Sequence, residues 1–243
     1  NMTKDEFIRE VLDGLLDPPK YFPDNVMLNK KGYDESDEII ERSFNALTPG
    51  KVESRLKENI TILDVRSVED FSSSHIPGSI FIGLDGRFAP WVGEILENVS
   101  KKLILIAPEG REKEAIIRLS RVGFDNVIGY LEGGINSWIK NGGIVSKVLN
   151  ESASKFSTCY NNKDILDVRS KNEHKSESLL NSINIPLIDL SKSIDKVSFE
   201  KTFYVHCKGG YRSMIAASIL LANGISNFSN IAGGYDKIKN YNS

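Results

Sequence analysis

The sequence predicts an α/β protein built from two rather similar domains, each a parallel sheet covered by helices, behind a short helical and loop segment. Three observations predict this. The segments ITILDVRSVEDF, from Ile60, and KDILDVRSKNEH, from Lys163, share the string Leu-Asp-Val-Arg-Ser, and internal repeats of this kind set an architecture before any other signal. Each copy is followed by the same order of elements: a second apolar segment (SIFIGL from Ser79, SINIPL from Ser182), a third (KLILIA from Lys102, TFYVHC from Thr202), a helical pattern, and a Gly-Gly pair opening an amphipathic stretch (Gly133-Gly134, Gly233-Gly234). Short apolar runs alternating with helical ones are the pattern of parallel strands with covering helices.

The elements follow in chain order. Thr3 and Glu6 have capping-box spacing, and Phe7, Ile8, Val11, Leu12, Leu15 and Leu16 continue at helical spacing until Pro18 and Pro19 stop the helix. YFPDNVMLNKKG then reads as an aromatic loop, and a second helix is expected over Asp37 to Leu47, leading to Pro49-Gly50. The expected units are residues 1–51, a front segment; 52–149, the first domain; and 155–243, the second. The polar stretch NESASKFSTCYN, from Asn150, reads as the linker between them.

Composition narrows the function classes. With 243 residues, 40% hydrophobic and 26% charged, the chain affords a sizeable core, and a net charge of −2 leaves no basic footprint for nucleic acid or an acidic membrane surface. There is no apolar run of membrane-spanning length, and NMTKDEFIRE lacks the apolar stretch of a secretory signal, so a cytoplasmic location is expected. Two cysteines make no disulfide framework, and His75, His174 and His206 lie in separate segments, so no metal site is expected from this chain alone.

In open parallel sheets, ligands bind beyond the carboxyl ends of the strands. In the second domain the loop after the third apolar segment is Cys207-Lys208-Gly209-Gly210-Tyr211-Arg212-Ser213. A thiol ends a strand, two glycines allow a tight loop, and a helix begins at about Arg212 or Ser213. Backbone N–H groups converging there from a nest and a helix start favour thiolate over thiol, with Lys208 and Arg212 adding positive charge. The expected product is a nucleophilic Cys207 in an anion-binding cradle, with Arg212 contacting the anion and Lys208, Gly209, Gly210, Tyr211 and Ser213 as substrate-binding residues. Strand alternation points His206 away from its neighbour Cys207, against a role as catalytic base. The repeated Asp64, Arg66, Asp167 and Arg169 are expected to form buried salt bridges that fix each domain. Cys159 has neither glycines nor cations beside it and reads as structural.

These residues carry a resemblance. Leu63-Asp64-Val65-Arg66 with His75-Ile76-Pro77-Gly78-Ser79 is similar to the opening motif of rhodanese-like domains, Leu166 to Arg169 repeats its first half, and Cys207 through Arg212 resembles the six-residue rhodanese active-site loop. The two Gly-Gly starts, with Trp138 in the first copy, resemble the closing helix. The resemblance implies a sulfurtransferase: Cys207 takes the sulfane sulfur of thiosulfate or a low-molecular-weight thiol persulfide, carries it as a persulfide, and passes it to cyanide, sulfite or a thiol. It implies no cofactor on this chain.

The first domain departs from that pattern. Its loop, Ile106 to Arg111, has no cysteine, and neither has the rest of the domain, so it is expected to be a catalytically inactive copy in which Gly110 and Arg111 serve a structural loop. The second copy lacks the His-Ile-Pro-Gly of the first. The front segment, from Met2 to Gly32, resembles the carboxyl end of metallo-β-lactamase-fold persulfide dioxygenases, a group that includes rhodanese fusions. That resemblance implies an upstream iron-bearing dioxygenase domain in a longer protein and a role in sulfide and persulfide detoxification. Two other readings of Cys207 remain: a cysteine phosphatase, whose loop has one residue more than the four between Cys207 and Arg212, and a non-catalytic interaction module.

Overall fold

A computed structural model describes residues 2–12, 26, 36–58, 60–158, 163–197 and 201–241. The front segment opens with helix α1 (Lys4–Leu12). Its cap is reciprocal: Glu6 N–H donates to Thr3 Oγ1 at 3.3 Å and Thr3 N–H to the Glu6 carboxylate at 2.8 Å. The expected continuation through Leu15 and Leu16, the Pro18-Pro19 stop and nearly all of the aromatic loop lie outside the described residues. Helix α2 (Ser36–Ser43) is shorter than the expected Asp37 to Leu47, because Ala46–Leu47 leave the helix to form strand β1. Ala46 and Leu47 pair in parallel with Tyr130 and Leu131, and burial of Leu47 favours the ladder over another helical turn.

The first sheet therefore starts upstream of residue 52. Its elements are β1, α3 (Pro49–Arg55), β2 (Ile60–Asp64), α4 (Val68–Ser73), β3 (Ile80–Phe81), α5 (Phe88–Leu96), β4 (Lys102–Ile106), α6 (Glu112–Ser120), β5 (Val127–Leu131) and α7 (Gly134–Lys140). The second domain repeats the plan with β6 (Asn150–Ser152), α8 (Ala153–Ser157), β7 (Ile165–Asp167), α9 (Lys171–Ser176), β8 (Ser182–Asn184), α10 (Leu187–Leu190), a 3₁₀ turn (Ser191–Lys196), β9 (Phe203–His206), α11 (Tyr211–Ala222), β10 (Phe228–Ala232) and α12 (Gly234–Tyr241). The sheet orders are β1-β5-β4-β2-β3 and β6-β10-β9-β7-β8, all parallel.

The stretch expected to be a linker is instead the start of the second domain. Asn150, Glu151 and Ser152 pair with Asn230, Ile231 and Ala232, and Ala153 and Phe156 of the next helix are buried. Its polarity concealed it, since an edge strand exposed to water carries polar side chains. The missing His-Ile-Pro-Gly of the second copy likewise does not change the turn. Ser79 N–H bonds to Ile76 O at 3.1 Å and Ser182 N–H to Leu179 O at 3.2 Å, with Gly78 at φ 79° and Asn181 at φ 62° in equivalent places. Asparagine is among the few residues other than glycine that adopt this left-handed conformation readily.

Helix α11 joins the domains. Every residue from Ser213 to Leu220 is buried, because one side of the helix lies on β9 and β10 and another faces β3 and α4 of the first domain. Phe71 and Phe81 of the first domain share a single apolar cluster with Met214, Ile215, Ala217 and Leu220. Strand β3 lies at the edge of its sheet, and the Phe81 N–H donates to Ser218 Oγ at 3.0 Å. Ser218→Ala leaves that buried N–H without its partner and is expected to destabilise the protein by about 1–2 kcal/mol, measured by urea unfolding.

Candidate active site

Strand β9 is interior to the second sheet, with His206 opposite Asp167, and it delivers Cys207 at its carboxyl end. Cys207 is 1% exposed. The chain then turns through Lys208 and Gly209, both exposed, and Gly210, and enters α11 at Tyr211. Gly210 sits at φ 102°, which an L side chain rarely adopts, and its N–H donates to the Cys207 sulfur at 3.1 Å. The Ser213 hydroxyl lies 3.6 Å from the sulfur and donates to Gly210 O at 3.1 Å. The closing helix seats the loop from behind: Tyr235 N–H donates to Cys207 O and Asp236 N–H to Lys208 O. Gly234 permits this approach, since a Cβ there would stand 2.4 Å from Cys207 O.

The same register in the first domain sets Ile106 opposite Asp64, so Ala107 occupies the place of Cys207. Three residues separate Ala107 from Arg111, against four between Cys207 and Arg212, so the first loop is one residue shorter as well as lacking a thiol. Arg111 is committed to Asp85 at 2.9 Å and Glu114 at 2.7 Å.

A family model, the rhodanese-like domain, matches residues 48–141 and 152–241. The chain belongs to the rhodanese-like family. It is 32% identical over 93 residues to the uncharacterized protein YqhL of Bacillus subtilis, covering 38% of this chain and 72% of that one. It is 35% identical over 109 residues to the same organism's "Putative sulfur carrier protein YrkF", covering 43% of this chain and 56% of that one. Among solved structures it is similar to a rhodanese-related protein from Thermoplasma volcanium, with 28% identity, a TM-score of 0.34, and coverage of 38% of this chain and 91% of that one.

The rhodanese-like loop does not hold every residue where the spacing suggested. Cys207, Gly210 and Ser213 come together around the sulfur. Lys208 and Gly209 form the exposed rim, and the space over Gly209 is open. Lys208 also lines a cleft of about 490 Å³ with Glu173, Tyr235, Asp236 and Lys239. Tyr211 turns away to the first domain, where its hydroxyl donates to Gly83 O at 2.7 Å, so it is not a rim contact. Arg212 does not present a free guanidinium to an anion: it forms two bonds to Glu173, at 2.6 and 2.7 Å. Only the Gly210 N–H, not several backbone groups, hydrogen-bonds the sulfur among the described residues.

The buried pairs are present in both domains. Arg66 bonds to Asp64 at 2.6 Å and Arg169 to Asp167 at 2.7 Å, and each guanidinium also donates to a backbone carbonyl, of Ser74 and of Glu177. Burial works against the charged form of Asp167, but Arg169, His206 and His174 outweigh it and hold the carboxyl below its ordinary range. His206 is buried with Nδ1 at 3.2 Å from Cys207 O and Nε2 toward Asp167, and burial pushes its pKa down. Cys159 lies outside the described residues.

Glu173 is the site residue that spacing arguments missed. Its signal was local: Ser170-x-x-Glu173 is a capping box, which fixes the carboxylate at the start of α9 and aims it at Arg212. Arg212 foremost, with Ser170, holds the Glu173 carboxyl at about 2, below the ordinary 4.5 and against the opposing effect of burial. Because the folded value is the lower one, the pair stabilises the fold fully above about pH 4.5 and loses that contribution as pH falls toward about 2. Glu173→Gln is expected to cost about 1–2 kcal/mol at neutral pH. It is also expected to flatten the fall in stability across the acid range, measured by urea unfolding at a series of pH values.

Proposed function

We propose that the chain is a sulfurtransferase that carries sulfane sulfur as a persulfide on Cys207. The observation that carries the proposal is the Gly210 N–H donated to the Cys207 sulfur at a strand-to-helix turn, a setting that stabilises a sulfur anion. Membership of the rhodanese-like family and the name of the relative YrkF support it.

In the first half-reaction, the Cys207 thiolate attacks the outer sulfur of thiosulfate or of a thiol persulfide. The donor S–S bond breaks, sulfite or a thiolate leaves with the electron pair, and Cys207 holds the sulfur. In the second, an acceptor attacks that sulfur and the Cys207 thiolate departs. Cyanide yields thiocyanate, sulfite yields thiosulfate, and a thiol yields a new persulfide. The sulfur moves without an external oxidant or reductant. The Ser213 hydroxyl, which donates to Gly210 O when Cys207 is a thiol, turns its hydrogen to the sulfur when the proton leaves, and adds a second donor to the anion. Lys208 on the rim attracts an anionic donor.

Arg212 serves this mechanism by bracing α9 against the loop through Glu173, not by gripping a substrate. That engagement disfavours a phosphatase, which requires an arginine free to embrace a tetrahedral phosphate. The first domain, with Ala107 in place of the nucleophile, takes no sulfur. Sulfide and persulfide detoxification beside an upstream iron-dependent dioxygenase, in the cytoplasm, extends the proposal and rests on the front segment's resemblance. A full-length gene product with no histidine-rich metal domain ahead of this chain overturns that extension.

Intact mass after thiosulfate treatment tests the core proposal. One added sulfur atom, mapped to Cys207, released by cyanide and absent in Cys207→Ser, is the expected result. Absence of any addition with thiosulfate and with glutathione persulfide overturns it.

A further inference from the structure

We infer that Tyr211 is a positioning residue through which the first domain, itself without a nucleophile, sets the shape of the Cys207 loop. The inference rests on Cys207 being the reactive thiol.

Gly210 is the residue whose N–H reaches the sulfur, and at φ 102° its own backbone is permissive. The direction of that N–H therefore depends on how the chain on either side of Gly210 is held. Gly210 O is held within its own helix by the Ser213 hydroxyl at 3.1 Å and the Met214 N–H at 3.3 Å, and the next residue, Tyr211, has its side chain anchored in the other domain. Its hydroxyl donates to Gly83 O at 2.7 Å, and its ring meets Phe81 edge-on at 5.9 Å between centroids. The ring also fills the space beside Gly86, where a Cβ would stand 2.2 Å from a ring carbon. Burial pushes the phenol pKa up, so the hydroxyl stays a donor at all physiological pH values.

The socket is braced at each residue. Gly86 N–H donates to Gly83 O at 3.3 Å, Leu84 N–H donates to Val65 O at 3.0 Å, and Arg118 donates to Leu84 O at 2.8 Å. Asp85 is held by Arg111 at 2.9 Å. Arg111 belongs to the cysteine-free loop, and through this contact that loop supports the turn on which the active loop's Tyr211 is fastened. The path runs from Arg111 to Asp85 by an ion pair, along the turn to Gly83, to Tyr211 by its hydroxyl, and along the backbone to Gly210 and its bond to the Cys207 sulfur.

The test compares Tyr211→Phe with Ser218→Ala, which breaks a different hydrogen bond between the domains without touching the loop. Three quantities are read: the alkylation rate of Cys207 by iodoacetamide at neutral pH, the pH at which thiolate ultraviolet absorbance appears, and kcat and KM for transfer from thiosulfate to cyanide. Tyr211→Phe is expected to slow alkylation about three- to ten-fold, the equivalent of losing one modest hydrogen bond. It is also expected to move the absorbance onset to higher pH and to lower kcat with little change in KM. Ser218→Ala is expected to lower the melting temperature and leave alkylation unchanged. Native alkylation and native kcat in Tyr211→Phe overturn the inference, as does a loss confined to KM, which would mark Tyr211 as a substrate contact. If Tyr211→Phe does not fold, Gly86→Ala, whose Cβ would stand 2.2 Å from a Tyr211 ring carbon and displace the ring, decides in its place by the same alkylation readout, and native alkylation there overturns the inference. Native protein that transfers no sulfur refutes the sulfurtransferase proposal, while the alkylation and absorbance comparison still decides the role of Tyr211.

Discussion

Burial of helix α11 on two sides is the constraint on which the rest of the structure depends. A helix at the surface of a parallel sheet normally buries one stripe and leaves the other in water. Here Ser213 through Leu220 are all buried, because the helix is pressed between its own sheet and the first domain. The loop carrying Cys207 runs straight into that helix, so the position of the sulfur is tied to an apolar interface and not only to the local turn. This explains why the two domains share one apolar cluster and why the edge strand β3 finds its hydrogen-bond partner in Ser218.

Around that helix, charges are arranged in pairs. The Asp–Arg pair at the end of the second strand of each sheet is the same in both domains, down to the extra bond from the guanidinium to a carbonyl eight residues on. A motif that persists unchanged in a domain without a thiol is structural: it holds the turn after the strand by satisfying polar groups that burial would otherwise leave unpaired. The domains diverge in the surroundings of the pair. The second adds His174 and His206 to Asp167 and joins Glu173 to Arg212. In the first, Arg111 turns to Asp85 and Glu114 instead. One plan thus carries a thiol loop in one place and a bracing loop in the other.

Much of this was legible in the chain. The repeated Leu-Asp-Val-Arg-Ser string, the alternation of apolar and helical runs, and the Cys207–Ser213 loop all depend on residues close in sequence, and they led to the two parallel sheets and the thiol at a strand end. Strand boundaries were less legible. Ala46–Leu47 and Asn150–Ser152 are two- and three-residue strands at sheet edges, too short for a periodic signal and, in the second case, too polar to look like a strand. The contacts of Tyr211 and Arg212 were not legible for a related reason: each sits in a loop that resembles a binding rim, yet each is claimed by a partner distant in sequence, Gly83 and Glu173.

The sequence by itself determined the fold of each unit, its doubling, and which copy holds a thiol at the strand end, because hydrophobic period, glycine placement and the presence of a thiol are properties of local residues. Only the tertiary structure decided where the loop's side chains point and how the first domain supports them. Those outcomes arise from packing one unit against the other, where burial of α11 brings Tyr211 to Gly83 across 128 positions of sequence. No pattern within a single loop encodes that meeting, since it exists only once both sheets have formed.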